Sequence, residues 1–212
     1  MREAMKNVHV SRHPVVMDKI ARLRDRRTNV ADFRRLMGEL AMFLAHDALM
    51  NARLKKARVR TPVGVADSMK LAHDLVFVAI LRAGLGMIDG LVKLCPEARL
   101  AHIGIYRDEE TLKPVKYYVR LPENVSESLV VIADPMLATG GSAVEAVEIM
   151  KSRGAKNICF ICMIASKEGI RRLATAHPEM PIYVGTIDER LNSDGYIVPG
   201  LGDAGDRMFG TN

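Results

Sequence analysis

The sequence predicts an α/β fold in which a mostly parallel central sheet is flanked by helices. Four short and almost wholly apolar runs are spaced along the chain, at residues 75–81, 99–106, 128–133 and 158–165. Three helical patterns are interleaved with them, at residues 86–94, 141–153 and 167–177. Strands that are apolar throughout are typical of a sheet covered on both faces, and their alternation with helices favours parallel order.

Length and composition favour a single domain over residues 1–212. The chain is 49% hydrophobic, which is enough to bury a full core, and it shows no repeat or linker. No apolar run is long enough to span a bilayer, and the N-terminal region lacks the pattern of a signal peptide. We therefore expect a cytoplasmic protein without a membrane partner.

Three segments outside the alternating pattern have their own signals. Asn29 and Asp32 stand at capping-box distance before apolar residues at helical spacing, which predicts a long amphipathic helix. A basic stretch that runs into Thr61-Pro62-Val63-Gly64 predicts an arm or hairpin at about 55–65. A charged hairpin over 106–121 is polar enough to be a flexible flap over a site.

The positive charge raises the alternative of a nucleic-acid partner. The formal net charge is +6, and six arginines fall on helical spacing near the N-terminus: Arg22, Arg24, Arg26, Arg27, Arg34 and Arg35. Such a row is also typical of a solvated helix face, and five Phe, five Tyr and no Trp leave little material for stacking bases. A small polyanionic substrate needs the same field, so we expect no nucleic acid; an RNA-binding regulator stays the alternative.

Two cysteines form a C-x-x-C motif at Cys159 and Cys162. Their neighbours are apolar and no second ligand pair accompanies them. The motif therefore predicts a buried strand rather than a redox or zinc site.

The run that ends at Ala133 leads into a glycine-rich turn. Asp134 follows the strand, and Gly140-Gly141-Ser142 opens the next helix. The unpaired N–H groups and positive dipole end of a helix N-terminus favour an anion, and a loop without a Walker lysine suits one phosphate monoester. The Asp134 carboxylate beside it suits the hydroxyls of a sugar phosphate.

A similar arrangement follows the first of the four strands. Arg82 stands at its end, and Gly84 and Gly86 come directly after. Arginine binds phosphate through two parallel hydrogen bonds, and glycines allow an anion to approach the backbone. We expect a second anion here.

The C-terminal segment contains a formal G-x-G-x-x-G at Gly200, Gly202 and Gly205. A dinucleotide site requires a helix that opens from this turn and an acidic residue about twenty positions later. The sequence stops at Asn212, so we expect neither and favour a main-chain surface that binds a small ligand.

Together these stretches resemble the uracil phosphoribosyltransferases of the type I phosphoribosyltransferase family. The stretch "VVIADPMLATGGS" is similar to their loop for 5-phosphoribosyl 1-diphosphate (PRPP), with Asp134-Pro135 where most type I relatives carry two adjacent acids. Other similar stretches run from end to end: "HPVV", "FRRLMGEL", "TPVG", "ILRAGLGMIDG", "YRDEET", "EGI" and "GYIVPGLGDAGDRMFGT".

The resemblance implies a type I fold with a base-recognising C-terminal hood over 186–212, and an enzyme that converts uracil and PRPP to UMP and diphosphate. It implies PRPP contacts from Arg82, Arg107, Asp134, Pro135, Met136, Leu137, Ala138, Thr139, Gly140, Gly141, Ser142 and Asp203. It implies uracil contacts from Ile197, Gly202, Asp203 and Ala204. The catalytic candidates are Arg82, Asp134 and Asp203.

The resemblance also implies a cofactor and partners. Mg²⁺ is expected to be held mainly by the diphosphate near Asp203, without a dedicated set of side-chain ligands. A homodimer or larger homo-oligomer is expected, and a nucleotide such as GTP is a candidate effector. A phosphoribosyltransferase for another base is a second alternative.

Overall fold

The computed structural model describes residues 6–107 and 114–211. Its strands, in chain order, are β1 (Val8–Val10), β2 (Leu54–Thr61), β3 (Gly64–Leu71), β4 (Leu75–Leu81), β5 (Arg99–Arg107), β6 (Pro114–Arg120), β7 (Leu129–Ala133), β8 (Met136–Leu137), β9 (Asn157–Ser166), β10 (Ile182–Asp188), β11 (Arg190–Leu191) and β12 (Ile197–Val198). Its α-helices are α1 (Pro14–Arg24), α2 (Val30–Leu49), α3 (Leu85–Leu94), α4 (Gly141–Ser152), α5 (Lys167–Ala176) and α6 (Ala204–Phe209). None of these helices is both long and apolar enough to cross a membrane.

The central sheet has the strand order β1–β10–β9–β7–β4–β5–β6, with β8 paired to β9 beside this path. Neighbouring strands are parallel throughout except for β5 and β6, which are antiparallel. The four apolar runs form β4, β5, β7 and β9, so the predicted α/β class and mostly parallel sheet are confirmed.

The sheet is covered on both faces, which explains why its central strands are apolar throughout. Phe77 and Ala79 pack into one hydrophobic cluster with α1, α2, α3 and α6, whereas Val76 and Val78 pack into the other with α4 and α5. Successive side chains of a strand point to opposite faces, so residues 75–80 of β4 alternate between the two hydrophobic clusters.

The C-x-x-C motif lies within β9, as predicted. Cys159 and Cys162 are free and buried, at 3% and 0% exposure. Burial raises the pKa of Cys159 to about 12 and that of Cys162 well above its ordinary value, so both remain thiols.

Helix α2 begins as its sequence predicts. The Asn29 side chain accepts a hydrogen bond from the N–H of Asp32 at 2.9 Å, and Phe33, Leu36 and Leu40 form its buried face. The prediction that the six N-terminal arginines form one solvated helix face is wrong in part. Helix α1 ends at Arg24, so residues 26 and 27 lie between helices, and both Arg24 and Arg34 are hydrogen-bonded to other parts of the chain.

Strands β2 and β3 form a separate antiparallel hairpin that spans residues 54–71, where the sequence predicted an arm at 55–65. Val63 at its turn is 97% exposed, and Val65 is 60% exposed. Several of its apolar side chains therefore face away from the domain core.

Candidate active site

The carboxyl ends of β4 and β7 meet the C-terminal segment around a cavity of about 250 Å³. Residues 134 and 136–143 line one side, residues 195–197 and 202–205 line the other, and Ala83 contributes from the end of β4. Ligands of open parallel sheets bind at the carboxyl ends of strands. The structure thus brings together the two segments on which the sequence hypothesis depends.

The turn before α4 places main-chain N–H groups at the cavity. Gly140 has φ +78° and caps the helix without a side-chain hydrogen bond, and its carbonyl accepts from the N–H of Val144 at 3.0 Å. The first N–H groups of a helix have no intrahelical acceptor. Together with the hydroxyls of Thr139 and Ser142, they form a site suited to one phosphate group.

This phosphate loop, residues 134–142, is held in place by β9 and α5. The Ser166 hydroxyl donates to the carbonyl of Ala138 at 2.6 Å and accepts from the N–H of Gly169 at 2.8 Å. A Cβ at Gly169 would lie 2.4 Å from that same Ala138 carbonyl oxygen. Only glycine allows α5 to approach the loop this closely.

Pro135 is the one residue of the loop that does not line the cavity. It is buried, and its carbonyl oxygen accepts from the N–H groups of Met163 and Ile164, at 3.1 Å each. This carbonyl joins the loop to β9, and the contact between Pro135 and PRPP stays a prediction of the resemblance.

Asp134 presents its carboxyl group to the cavity from the end of β7. The Met136 N–H donates to Oδ1 at 3.3 Å. Burial among protein atoms nevertheless raises the pKa of Asp134 to about 7, although the residue as a whole is only partly buried and lines the cavity. The group can therefore take up or release a proton near neutral pH.

A second cavity of about 510 Å³ adjoins the first and contains Arg82. Ala83, Asp203 and Gly205 line both cavities. The Arg82 side chain is 61% exposed, with Nη2 3.7 Å from Oδ1 of Asp206. Because this contact is long and solvated, the guanidinium group can turn toward an anion.

Gly84 and Gly86 pack closely against other parts of the protein. A Cβ at Gly84 would lie 2.5 Å from the carbonyl oxygen of Ile80 and 2.7 Å from that of Ala133. A Cβ at Gly86 would lie 2.5 Å from the sulfur of Met208. Both glycines permit close packing of protein against protein, and the approach of an anion to their backbone stays a prediction.

The glycines of the C-terminal G-x-G-x-x-G shape a turn and a short helix. Gly200 has φ +54° and Gly202 has φ +83°, whereas Gly205 lies within α6. A helix does form here, contrary to expectation, because the Asp203 Oδ1 accepts from the N–H of Asp206 at 2.9 Å and caps it. Six residues are too short for the crossover helix of a dinucleotide fold.

Residues predicted for the base pocket lie beside this turn. Ile197 and Ala204 are buried, at 5% and 4% exposure, and both line the first cavity with Gly202 and Asp203. Tyr196 lies next to them and was not predicted.

The predicted flap is described in part. Strand β5 ends at Arg107, whose side chain lies outside the described residues, as do residues 108–113. The rings of Tyr106 and Tyr117 meet at 6.1 Å between centroids and line the second cavity, and neither was predicted for the site.

Comparisons with known proteins agree with this arrangement. The family model for uracil phosphoribosyltransferase matches residues 10–211. A uracil phosphoribosyltransferase from Bacillus licheniformis is 52% identical over 208 residues, which cover 98% of this chain and all of the relative.

Solved structures extend the comparison. The AQ2163 protein from Aquifex aeolicus superposes with a TM-score of 0.92 at 39% identity, covering 95% of this chain and 97% of that one. An adenine phosphoribosyltransferase from Trypanosoma brucei superposes with a TM-score of 0.58 at 14% identity, covering 93% and 88%, and shares the fold.

Proposed function

Because the chain belongs to the uracil phosphoribosyltransferase family, a group of pentosyltransferases, we propose that it transfers the phosphoribosyl group of PRPP to uracil and releases diphosphate. The product is UMP, and the activity is one of pyrimidine salvage. The observation that carries the proposal is that the phosphate loop and residues 195–205 face each other across one cavity.

The 5'-phosphate of PRPP is assigned to the start of α4. The proposed donors are the main-chain N–H groups of Gly140, Gly141 and Ser142 at the N-terminus of α4, and the helix dipole adds to their effect. The Thr139 and Ser142 hydroxyls supply further donors, while Met136, Leu137 and Ala138 contribute the main-chain wall.

The ribose and the diphosphate are assigned to the ends of β7 and β4. In its ionised form the Asp134 carboxylate accepts hydrogen bonds from the ribose hydroxyls. Arg82 in the adjoining cavity pairs with the diphosphate. The resemblance implies that Arg107 also contacts PRPP. Asp203 lines both cavities, so its carboxylate is placed near the bond between C1' and the leaving group.

The main chain around Gly200 is proposed to read uracil. The base presents acceptor, donor and acceptor along O2, N3–H and O4, so the pocket must present donor, acceptor and donor. Both backbone groups of Gly200 are already hydrogen-bonded within the protein. Reading the base therefore falls to residues 197 and 202–204, and cytosine would leave buried groups unpaired.

Mg²⁺ is proposed to enter with the diphosphate. Across residues 6–107 and 114–211, no group of three or more His, Cys, Asp or Glu side chains could hold a metal ion. Asp203 is the carboxylate that lines both cavities, so it fits an ion held mainly by phosphate oxygens. When bound, Mg²⁺ neutralises charge that develops on the diphosphate.

The reaction is a displacement at C1'. The bond from C1' to the diphosphate oxygen breaks as N1 of uracil forms a bond to the same carbon, and the N1 proton is released. Arg82 stabilises the leaving group, the phosphate loop fixes the far end of the ribose, and Asp134 fixes its hydroxyls. Asp203 is the candidate residue for stabilising the positive charge that develops at C1' or for accepting the N1 proton.

An oligomer is also proposed. Leu54, Val65 and Met69 on the hairpin are each more than half exposed, which supports burial against a second copy of the chain. Sedimentation velocity at several concentrations tests this. A nucleotide effector such as GTP stays a prediction of the resemblance.

One assay tests the proposed activity against both alternatives. The purified protein is incubated with PRPP, Mg²⁺ and either uracil, cytosine, adenine or guanine, and nucleotide formation is measured. We expect UMP from uracil and no product from the others. A purine nucleotide as the main product, or salt-dependent RNA binding without any nucleotide formation, would refute the proposal.

A further inference from the structure

An ion pair outside the cavity joins the end of α1 to the end of β10. Nη2 of Arg24 lies 2.6 Å from Oδ1 of Asp188, and Nη1 lies 2.8 Å from Oδ2. The Asp188 side chain is 7% exposed and that of Arg24 is 22% exposed. Two parallel bonds of this kind fix both position and angle.

The same pair holds both backbone groups of Gly200. Nη1 of Arg24 donates to the Gly200 carbonyl at 2.7 Å, and the Gly200 N–H donates to Oδ2 of Asp188 at 2.8 Å. Burial alone would raise the pKa of Asp188, but the bonds from Arg24 and Gly200 outweigh it and hold the pKa below its ordinary value. The pair is thus ionised when it binds the turn.

A second arginine, Arg207, also joins the turn to the end of α1. Nη1 of Arg207 in α6 donates to the carbonyls of Leu201 and Leu23, at 2.9 and 2.8 Å, and Nη2 donates to that of Asp25 at 2.6 Å. Arg24 of α1 is therefore hydrogen-bonded to the C-terminal turn, and Arg207 of the C-terminal segment is hydrogen-bonded to the end of α1.

The position of Gly200 decides the position of the base pocket. A Cβ at Gly200 would lie 2.1 Å from the carbonyl oxygen of Ile197, so the turn folds tightly upon itself. Ile197 precedes Gly200 by three residues and Gly202 follows it by two, and both line the cavity. A shift of Gly200 would move both.

We infer that Arg24 and Asp188 are positioning residues for uracil: together they hold the Gly200 turn so that the main chain beside it meets the base. The inference rests on the proposed function. Neither residue lines either cavity, so both are inferred to act through the turn rather than by contact with the substrates.

The test compares Arg24→Ala, Arg24→Lys and Asp188→Asn with the wild type. Arg22→Ala is the matched control, because Arg22 lies on the same helix in an exposed ion pair with Asp18. For each protein, KM for uracil is measured at saturating PRPP, and KM for PRPP is measured at saturating uracil. The same data give kcat, and the thermal midpoint is measured separately.

We expect Arg24→Ala and Asp188→Asn to raise KM for uracil by about tenfold or more, while KM for PRPP stays within about twofold. Arg24→Lys keeps the charge but loses the paired bonds, so its KM for uracil should fall between Arg24→Ala and wild type. Arg22→Ala should match wild type.

A purely structural pair would lower the thermal midpoint and the active fraction without changing either KM, and that result overturns the inference. Equal increases in both KM values overturn it as well. If Arg24→Ala does not fold, the nearly isosteric Asp188→Asn decides, and failure of both to fold assigns the pair to folding alone. Absence of UMP formation by wild type would instead refute the proposed function.

Discussion

The α-carbon of Gly169 in α5 lies so close to Ala138 in the phosphate loop that a Cβ would come within 2.4 Å of the Ala138 carbonyl oxygen. The carbonyl oxygen of Leu137 would lie 2.5 Å from the same Cβ, and because both oxygens belong to the backbone, neither can turn aside. We predict that Gly169→Ala lowers the free energy of unfolding by about 1–3 kcal/mol and raises KM for PRPP, because the loop must shift. Urea unfolding and steady-state kinetics measure the two effects.

Gly64→Ala is the control for that prediction, since nothing lies within 4 Å of a Cβ at Gly64 in the hairpin turn. Its free energy of unfolding should change by less than about 0.5 kcal/mol. Gly169→Ala with wild-type stability and wild-type KM for PRPP would show that the loop is not held by this contact.

Two hydroxyls of the phosphate loop offer a test that leaves the backbone undisturbed. Thr139 and Ser142 are part-exposed and line the first cavity. A hydrogen bond to a charged group contributes about 1.5–3 kcal/mol. We predict that Thr139→Ala and Ser142→Ala each raise KM for PRPP by about tenfold, with unfolding free energy changed by less than about 0.5 kcal/mol.

Ser126→Ala is the matched control, because Ser126 is exposed in a turn before β7, away from the cavity.

Gly140→Val is a less direct probe of the phosphate site than the hydroxyl variants. Its φ of +78° and a Cβ 3.0 Å from the Gly169 carbonyl predict a loss of stability together with PRPP affinity. Wild-type PRPP binding by both hydroxyl variants would place the phosphate elsewhere.

The sequence predicts the centre of the fold better than its edges. Strands β4, β7 and β9 are buried on both faces and appear as unbroken apolar runs. Strand β10 was not predicted, because Gly185 and Thr186 interrupt its apolar residues and several of its positions are only partly buried. The two-residue strands β11 and β12 depend on each other for pairing and have no local pattern.

The same difference applies to the site. The phosphate loop has a local signature, a strand followed by an acid and a glycine turn into a helix. Arg24 and Asp188 are separated by 164 positions, so no spacing in the sequence indicates their contact. Gly84 shows a further limit, because a glycine that admits another strand's backbone looks the same in sequence as one that admits a ligand.

Asp203 combines a structural part with a proposed catalytic one, and two substitutions separate them. Its Oδ1 caps α6 through the N–H of Asp206. Asp203→Asn keeps an oxygen for the cap but removes the charge, whereas Asp203→Ala removes both and costs about 1 kcal/mol of stability besides. We predict that both variants lower kcat, by about a hundredfold, and that only Asp203→Ala unfolds more easily.

Stopped or coupled assays of diphosphate release give kcat, and urea unfolding gives stability. Wild-type kcat in Asp203→Asn would remove the proposed catalytic role of the carboxylate. A loss of kcat only in Asp203→Ala would assign the residue to helix capping.

Asp134 is expected to make the stability of the free protein depend on pH. Burial raises its pKa to about 7, above the ordinary value of 3.8, so between these values the folded protein holds a proton that the unfolded chain has released. The stabilisation from this proton is complete below about pH 4 and is lost as the pH rises through about 7.

Asp134→Asn removes this titration, because the amide is neutral at every pH. We predict that wild type loses on the order of 2 kcal/mol of stability relative to Asp134→Asn between about pH 5 and about pH 8, since each pKa unit is worth about 1.4 kcal/mol and the residue is only partly buried. Urea unfolding without ligands, at one protein concentration and several pH values, measures the difference. A difference that stays constant from about pH 5 to 8 would mean that the free carboxyl is ionised throughout, and that the ribose hydroxyls meet a carboxylate that needs no proton release.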